Sequence, residues 1–268
     1  MSFPYKHILV IGATAGIGRA LASRFVQSGA KVTVVGRRKE RLDEFVQEHG
    51  GDKANAVQFD ISDLIKIPGF AAEIMTKYPT IDSVFLNAGI MLPTDMTDPE
   101  KFDLSSFYKQ MHINFTSYVA LTHAFLPYLT KKGGDTSLIY TTSNLSIVPA
   151  TWMPAYSASK AALNAFILCL RDQLRKSSVK IIEVSPPAVQ SELHDYMGEE
   201  GRKVGMPLKE FTDEAFQGLL DGKDQIVVGS LGPAGVFLDI VNKRRAATTQ
   251  LAKMMRGEKS MGMDSHNI

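Results

Sequence analysis

Short runs of apolar, mostly β-branched residues recur along the chain, and stretches with the spacing of amphipathic helices separate them. The runs show no strict alternation, which is typical of parallel strands covered on both faces. The pattern predicts strands at residues 8–11, 31–35, 56–59, 83–86, 137–140, 179–184 and 225–228. It predicts helices at about residues 16–28, 38–49, 62–78, 102–131, 155–177 and 209–221. This alternation predicts an α/β fold of three layers, in which a doubly wound, seven-stranded parallel sheet carries helices on both faces.

Two stretches depart from the rhythm of strand and helix. Residues 191–207 mix Gly, Glu, His, Tyr and Met without a period, which favours a mobile lid or loop. The tail, residues 256–268, is rich in Met, Gly, Ser and Asn, and we expect it to be disordered. A length of 268 residues suits one large α/β domain, although two small domains also fit it. Because the strands and helices use most of the chain, we expect a single domain over residues 1–268.

Composition and charge narrow the class of protein. The chain has 30 Lys and Arg against 28 Asp and Glu, so its net charge of +2 does not indicate a nucleic-acid partner. Basic residues cluster at 37–39 and at 243–245, and we expect the second cluster on the solvated face of a C-terminal helix. No apolar run reaches the roughly 18 residues of a membrane span, and no secretory signal pattern is visible. We therefore expect a cytoplasmic location without a membrane partner.

The chain contains one cysteine, Cys169, which excludes an intramolecular disulfide. Its apolar helical neighbours predict a buried, inert thiol. A chain of this length can bury a large core, so stability requires neither disulfides nor a metal, and we expect no metal site.

A glycine-rich turn follows the first predicted strand and precedes the first predicted helix. Gly12 allows a sharp turn, Gly16 lets the backbone approach a pyrophosphate, and Gly18 lets the helix pack closely on the strand. The helix N-terminus then offers free N–H groups and the positive end of its dipole to the anion. The position of this turn predicts a dinucleotide site on a Rossmann-type fold. A glycine-rich turn without a ligand is the alternative.

The residues at the end of the second predicted strand indicate which dinucleotide the site binds. Gly36 is followed by Arg37 and Arg38, and no acidic residue is placed to bind two ribose hydroxyls. A guanidinium presents a planar fork that suits a phosphate, so the 2′-phosphate of NADP is the expected recipient. The alternative is a group of exposed cations at a helix start, since Lys39 and Arg41 extend the cluster.

A tyrosine and a lysine stand four positions apart at the start of a predicted helix, and therefore share one helix face. The unperturbed pKa of a phenol is about 10, and an ammonium one turn away would lower it. Tyr156, beside Lys160, could then donate a proton to an alkoxide or accept one in reverse. Ser143 lies thirteen positions upstream and can hydrogen-bond the substrate oxygen if the following loop folds back. The Tyr-x-x-x-Lys spacing is common on helices, so its meaning depends on the other motifs.

Together the motifs resemble the short-chain dehydrogenase/reductase family in its smaller, single-domain branch, over about residues 7 to 229. The matching motifs are Gly12-x-x-x-Gly16-x-Gly18, Asp60, Asn87-Ala88-Gly89, Asn114, Ser143, Tyr156-x-x-x-Lys160 and Pro186. The sequence departs from the family pattern at Pro187, where glycine is usual. Proline fixes φ and removes an N–H. The cofactor contacts beside Pro187 are therefore the part of the family pattern that applies least directly to this chain.

The resemblance implies an NADP(H)-dependent oxidoreductase that interconverts a ketone or aldehyde and an alcohol by hydride transfer. It implies that Tyr156 moves the proton, that Ser143 orients the carbonyl, and that Lys160 assists Tyr156 and holds the nicotinamide ribose. Asn114 would anchor a water that links the lysine to solvent. The expected cofactor-binding residues are Gly12, Thr14, Gly16, Ile17, Gly18, Arg37, Arg38, Asp60, Ile61, Asn87, Ala88, Gly89, Tyr156, Lys160, Pro186, Val189 and Ser191.

Taken singly, some of these residues have plainer interpretations: Asn114 as a solvent-facing side chain on a long helix, and Asp60 as a helix cap. Two other functions also compete. One is an NADP-binding sensor or scaffold without turnover; the other is an epimerase or dehydratase, which would need a longer chain. Apolar residues that flank the expected cleft, Trp152, Met153 and Tyr196 among them, favour an apolar or aromatic substrate. The resemblance also implies a homodimer or homotetramer through the helices at 102–131 and 155–177.

Overall fold

A computed structural model describes residues 3–100 and 102–258 of the chain. Within these residues, seven strands form one sheet in the order β3-β2-β1-β4-β5-β6-β7, and every neighbouring pair is parallel. The strands are β1 His7–Ile11, β2 Lys31–Gly36, β3 Ala54–Gln58, β4 Ser83–Leu86, β5 Thr136–Thr141, β6 Val179–Ser185 and β7 Gln225–Val227. The predicted fold class is confirmed.

Helices connect the strands and continue beyond the last one. In the described part of the chain they are α1 Gly16–Gln27, α2 Lys39–His49, α3 Ile67–Lys77, α4 Leu104–Met111, α5 Ser117–Lys132, α6 Pro154–Gln173, α7 Leu208–Leu220 and α8 Ala234–Met255. A π-helical turn, His112–Thr116, joins α4 to α5, and shorter 3₁₀ turns cover Asn144–Ser146, Glu192–Met197 and Glu199–Lys203.

Both faces of the sheet are covered, which explains why its strands are apolar throughout. One face carries α1, α2 and α7, where Leu21 and Phe25 lie one turn apart on the buried side of α1. The other face carries α3, α5 and α6, where Tyr118, Leu121 and Phe125 follow a helical spacing on α5. Each fully buried side chain of this size stabilises the fold by about 1.5–3 kcal/mol.

The order of strands places a crevice at the carboxyl ends of β1 and β4. From β1 the chain proceeds outward through β2 to β3, then returns to the other side of β1 as β4. Ile11 and Leu86, the last residues of β1 and β4, are paired, so Gly12 and Asn87 leave the sheet side by side. Ligands of doubly wound sheets bind at such a switch point.

The structure corrects several predicted bounds. The helix expected at 102–131 is interrupted by the π-helical turn, and the one expected at 62–78 begins only at Ile67. The segment before Ile67 instead forms turns in which carboxylates accept from the backbone: Asp60 from Ser62 at 2.9 Å and Asp63 from Lys66 at 3.3 Å. Side chains of this kind compete with helical hydrogen bonds.

The C-terminal third differs from expectation in three respects. The helix α8 is well formed but lay outside the predicted bounds, and its basic cluster is only partly solvated, because Arg245 pairs with Asp224 at 2.5 Å. Cys169 is exposed on α6, so the expected burial of its thiol is wrong. The segment 191–207 contains two 3₁₀ turns rather than an irregular loop. Of the predicted disordered tail, 259–268 lies outside the described residues, while Arg256 closes α8 and pairs with Asp172 at 2.6 Å.

Candidate active site

The turn after β1 has a shape that only small residues permit. Gly12 adopts a φ of +92°, and a Cβ there would lie 2.4 Å from the backbone nitrogen of Ala88. A Cβ at Gly18 would lie 2.1 Å from the carbonyl oxygen of Gly12. These contacts are too short for any side chain, so the close packing of turn, helix and β4 requires both glycines.

The same turn is suited to an anion. Gly16, with a φ of +54°, begins α1, whose N-cap residue Ala15 makes no side-chain cap and whose first turn contains no acidic residue. The free N–H groups and positive dipole end of α1 are therefore available to a phosphate. Thr14, Gly16 and Ile17 line a cleft with a volume of about 1140 Å³ that opens at this point. The glycine cradle thus fits a dinucleotide pyrophosphate.

The two arginines after β2 line the same cleft but differ in their surroundings. Arg37 is exposed, and its backbone oxygen accepts from Gln58 Nε2 at 2.7 Å. Arg38 donates through Nη2 to Thr14 Oγ1 at 2.8 Å and through Nη1 to Glu192 Oε2 at 2.6 Å. Arg38 therefore connects the glycine-rich turn to the segment expected to act as a lid.

The side of the cleft expected to hold the adenosine is formed by the residues after β3 and β4. Ile61 is buried, Asp60 is exposed, and both residues line the cleft. The helix-cap interpretation of Asp60 fails, because Ser62 lies in a turn ahead of α3 rather than in a helix. Asn87 Nδ2 donates to the Gly12 carbonyl at 3.0 Å, and its Oδ1 accepts from Thr141 at 2.9 Å. Asn87 thereby ties together the ends of β1, β4 and β5.

Asn114 lies behind the cleft rather than in its wall. It sits in the π-helical turn, is fully buried, and pairs with the backbone of Ile90 in both directions, each contact being 2.9 Å long. Its Nδ2 also donates to Ser159 Oγ at 3.1 Å. The solvent-facing interpretation of Asn114 is therefore excluded. A Cβ at Gly89 would lie 3.3 Å from Asn114 Oδ1 and 3.7 Å from Lys160 Nζ, so these three predicted residues meet.

Ser143, Tyr156 and Lys160 come together on the cleft wall. All three are at least 95% buried and line the cleft, and the Ser143 hydroxyl is close enough to the Tyr156 phenol to influence its pKa. Lys160 Nζ lies 5.8 Å from the centroid of the Tyr156 ring and donates to the Thr141 carbonyl at 2.9 Å. The loop after β5 does fold back, because a 3₁₀ turn begins directly after Ser143, whose Oγ accepts from Leu145 N at 3.1 Å.

The electrostatics of this group reverse one expectation. Burial raises the pKa of Tyr156 to about 12, and the hydrogen bond from Ser143 opposes that rise. Burial also lowers the pKa of Lys160 to about 7. The spacing alone predicts that Lys160 lowers the phenol pKa, but desolvation of the phenol determines the direction of the shift and raises that pKa instead. At neutral pH the phenol is therefore protonated, and the lysine carries its proton less firmly than an exposed lysine does.

The wall expected to face the nicotinamide is formed by residues after β6. Pro186 accepts through its carbonyl from Asn144 N at 2.8 Å, and Val189 is buried in a bridge with Met206. Ser191 approaches the glycine-rich turn so closely that a Cβ at Gly16 would lie 3.1 Å from the Ser191 Cβ. All three predicted residues line the cleft, whereas Gly18, like Asn114, packs behind it.

The remaining lining of the cleft is largely apolar. Met91, Ala150 and Met153 form a buried cluster with Tyr156, and Leu193 and Tyr196 of the lid segment pack against it. Trp152 lines the cleft but is 70% exposed. His194 is buried in this wall, and burial lowers the pKa of its ring. Glu192 was not identified from the sequence, because its partner Arg38 lies 154 positions away and the fold alone brings the two together.

Two surveys bear on other classes of protein. Among residues 3–100 and 102–258, no group of three or more His, Cys, Asp and Glu side chains is placed to hold a metal ion. In the same part of the chain, no helix combines the length and the apolar character needed to cross a membrane.

A doubly wound sheet with a glycine cradle at its switch point defines a nucleotide-binding protein of the Rossmann type. Comparison with known proteins extends this result. The family model described as short chain dehydrogenase matches residues 6–201. The chain therefore belongs to the short-chain dehydrogenase family of oxidoreductases, which bind NAD(P), and the resemblance found in the sequence is confirmed.

Individual relatives agree with this assignment. The protein named Uncharacterized oxidoreductase DltE, from Bacillus subtilis (strain 168), is 32% identical over 230 residues, which span 84% of this chain and 89% of that protein. NADP-dependent 3-hydroxy acid dehydrogenase YdfG of Shigella flexneri is 31% identical over 186 residues, or 68% of this chain and 72% of that one. The closed form of serine dehydrogenase complexed with NADP+ superposes with a TM-score of 0.74 at 25% identity, over 85% of this chain and 97% of that structure.

Proposed function

We propose that this protein is an NADP(H)-dependent oxidoreductase that interconverts a ketone or aldehyde and an alcohol. One observation carries the proposal: Ser143, Tyr156 and Lys160 are buried together in the wall of the same cleft that holds the glycine cradle. A sensor or scaffold would need the cradle but not the buried phenol and amine, which are costly to desolvate.

Each residue of the group has a distinct task in the proposed reaction. The nicotinamide, when bound, supplies or accepts the hydride. Tyr156 donates its proton to the oxygen of a carbonyl substrate, and its raised pKa keeps the phenol in the protonated form that a donor needs at neutral pH. Ser143 donates a hydrogen bond to the same oxygen and so fixes its position. In the alcohol-oxidising direction Tyr156 accepts the proton.

Lys160 and Asn114 support the proton transfer from behind. The Lys160 ammonium, held by the Thr141 carbonyl, stabilises negative charge on the phenol after it has given up its proton. Because burial lowers its pKa to about 7, Lys160 can itself exchange a proton near neutral pH. Asn114 positions the Ile90 backbone and Ser159 beside that lysine, and we propose that it anchors the water which links Lys160 to solvent.

The preference for NADP over NAD rests on Arg37 and Arg38 at the cleft. The residues directly after β2 are these two arginines rather than an acidic residue that could bind the ribose hydroxyls, and both line the cleft. The names of two relatives, YdfG and the serine dehydrogenase complex, also include NADP. The predicted set of cofactor-binding residues is proposed on the same basis.

The cleft favours an apolar or aromatic substrate, since Met91, Met153, Leu193 and Tyr196 surround the space near Tyr156. An oligomer through α4, α5 and α6 remains our proposal, supported by the exposure of Leu104, Tyr108 and Tyr128. The expected cytoplasmic location and single domain over residues 1–268 also remain predictions.

The experiment that tests the function follows NADPH and NADH oxidation at 340 nm with a panel of ketones and aldehydes. Wild type is compared with Tyr156→Phe, which removes only the proton donor. We expect Tyr156→Phe to lose about 10²–10⁴-fold in kcat. NADPH should still bind tightly, because the loss of one hydroxyl leaves the glycine cradle and the arginines at the cleft intact. Tyr140→Phe is the matched control, because it removes another buried phenol, which is hydrogen-bonded to Thr122 of α5 and does not line the cleft.

Two results would contradict the proposal. If no carbonyl compound is reduced although NADPH binds tightly, the sensor or scaffold function is favoured. If a carbonyl is reduced equally well by wild type and Tyr156→Phe, the proton is supplied by another group.

A further inference from the structure

The arginine that suits a phosphate already faces a carboxylate of the lid segment. Arg38 Nη1 lies 2.6 Å from Glu192 Oε2, and Arg41 Nη2 lies 3.8 Å from Glu192 Oε1. The remaining donors of Arg38, Nε and Nη2, both point to Thr14 Oγ1 in the glycine-rich turn. The Arg38 guanidinium is thus oriented by two anchors that are far apart in sequence.

The Glu192 carboxylate therefore already pairs with the guanidinium that would bind a phosphate. A 2′-phosphate bound by the same guanidinium has to share it with Glu192 or displace that carboxylate. A phosphate monoester carries a charge of about −1.5 to −2 at pH 7, so its proximity to Glu192 is repulsive. A ribose with a free 2′-hydroxyl carries no such charge and meets no such penalty.

The position of Glu192 in the fold makes this arrangement specific. Glu192 begins a 3₁₀ turn directly after Ser191, which lies against Gly16 of the glycine-rich turn. The backbone thus places Glu192 at the rim of the cleft, where its carboxylate contacts Arg38 and Arg41. Both partners are partly exposed, at 42% for Arg38 and 30% for Glu192, so solvent screens the interaction and the expected effect is modest.

We propose that Glu192 is a specificity-determining residue that weakens the preference of Arg38 for a 2′-phosphorylated adenosine. The inference rests on the proposed function, in which Arg38 binds that phosphate. Glu192 lowers the affinity for a 2′-phosphorylated adenosine and leaves the affinity for an adenosine without that phosphate nearly unchanged. The ratio of the two affinities is therefore lower than it would be without Glu192.

The test uses two probes that differ only in the phosphate: adenosine 2′,5′-bisphosphate and adenosine 5′-monophosphate. Their dissociation constants are measured by titration calorimetry on the full chain, for wild type and for Glu192→Gln. Glutamine keeps the size of the side chain and an oxygen that accepts from Arg38. The ratio of affinities, bisphosphate over monophosphate, is expected to rise about two- to fivefold in Glu192→Gln.

Glu199→Gln is the matched control, because it removes the same charge from the next 3₁₀ turn, where Glu199 is exposed. Its affinity ratio should equal that of wild type. Circular dichroism and thermal melting of both variants confirm that each is folded at the titration temperature. A rise equal to that of Glu199→Gln would reflect only the net charge of the protein and would overturn the assignment.

The outcomes separate the inference from the proposed function. A wild-type ratio near one that Arg38→Ala does not change overturns both the preference for NADP and the inference. A high wild-type ratio that Arg38→Ala abolishes but Glu192→Gln leaves unchanged, or lowers, overturns the inference alone. A rise in Glu192→Gln that disappears when Arg38→Ala is added supports it, since the two residues then act through one contact.

Discussion

Lys160 Nζ lies 5.8 Å from the centroid of the Tyr156 ring and is held there by a 2.9 Å hydrogen bond to the Thr141 carbonyl. Both side chains are buried, and burial opposes the charged form of each. The arrangement is therefore unfavourable for folding, and groups whose pKa values are perturbed in this way are typical of functional sites. Stability and activity are expected to respond in opposite directions when this pair is altered.

Replacing Lys160 by methionine should stabilise the protein and abolish turnover. The pKa of Lys160 is about 7 in the folded protein, below the value of 10.5 for an unperturbed lysine. The unfolded state thus binds the additional proton between these values, so stability rises with pH across the window and the full penalty applies below pH 7. We expect Lys160→Met to gain on the order of 1–3 kcal/mol at pH 6–7 and to lose that advantage towards pH 10. Denaturant unfolding at pH 6, 8 and 10 measures this difference.

Lys180→Met is the control for the lysine variant, because Lys180 is exposed on β6 and pairs with Asp135 at 3.5 Å. It should show no comparable gain at pH 6. A Lys160→Met protein that is less stable than wild type at pH 6 would mean that the Thr141 hydrogen bond outweighs the cost of burying the amine.

Gly18→Ala should disrupt the glycine-rich turn. An alanine Cβ would lie 2.1 Å from the Gly12 carbonyl oxygen and 2.5 Å from Asn87 Nδ2, so α1 has to move away from β1 and β4. We expect a loss of about 1–3 kcal/mol in stability, as for other overpacked sites, together with at least a tenfold weaker affinity for NADPH. Thermal melting and NADPH fluorescence measure the two effects.

Gly69→Ala, the same substitution in another helix, should have the opposite effect on stability. Nothing lies within 4 Å of a Cβ at Gly69 in α3. Alanine is the better helix former, so this variant should gain about 0.5–1 kcal/mol and bind NADPH unchanged. Equal effects of the two substitutions would show that helix propensity, rather than close packing at Gly18, decides the result.

Asn114→Asp should affect the site from behind. Aspartate keeps an oxygen that accepts from Ile90 N but has no N–H to donate to Ile90 O or Ser159 Oγ. Two acceptors then face a buried carboxylate, and we expect about 2–4 kcal/mol of destabilisation with a lower kcat. Chemical denaturation and steady-state kinetics test this, with Asn55→Asp as the control, since the Asn55 amide makes only a 3.5 Å contact with Thr33 on a partly exposed strand. Similar losses of stability and kcat in both variants would show that the buried hydrogen bonds of Asn114 contribute no more than the partly exposed contact of Asn55.

The parts of the site that sequence reasoning found are those that local chemistry determines. Glycine at 12 and 18 follows from a turn that no other residue can form, and the Tyr156–Lys160 spacing follows from the period of a helix. The strands were recognisable because a parallel sheet covered on both faces needs continuous apolar runs. These features depend on neighbours within a few residues, and a single sequence displays them directly.

The parts that sequence reasoning missed depend on residues that are distant in sequence. The π-helical turn that carries Asn114, the Arg38–Glu192 pair and the burial of His194 each require the tertiary fold. The predicted lowering of the Tyr156 pKa was wrong for the same reason, since the shift depends on the tertiary fold. Spacing shows that Lys160 is near, but the cost of burial depends on every element packed around the phenol.

A final prediction concerns the opposite end of the sheet, where His7 is buried at the start of β1. Its ring nitrogens contact Thr80 Oγ1 at 2.7 Å and Thr33 Oγ1 at 2.9 Å, and burial lowers its pKa to about 4, with Lys31 and Lys132 adding to the effect. The unperturbed value is 6.5, so the unfolded chain takes up this proton first as the pH falls. The contribution of neutral His7 is complete above pH 6.5 and is lost between pH 6.5 and 4, at about 1.4 kcal/mol per unit of pKa difference.

The carboxyl group of Asp82, which accepts from the backbone of His7, complicates the acidic range. Burial raises the pKa of Asp82, so its protonation favours the folded state as the pH falls and opposes the effect of His7. Wild type alone therefore cannot isolate the histidine, and the measurement is the difference in melting temperature between wild type and His7→Gln from pH 7.5 to 4.5. Relative to wild type, His7→Gln should become progressively more stable as the pH falls, since it has no proton to take up, whereas His123→Gln, at an exposed position on α5, should follow wild type throughout. A constant offset between wild type and His7→Gln over this range would mean that His7 titrates alike in both states and that its burial carries no pH dependence.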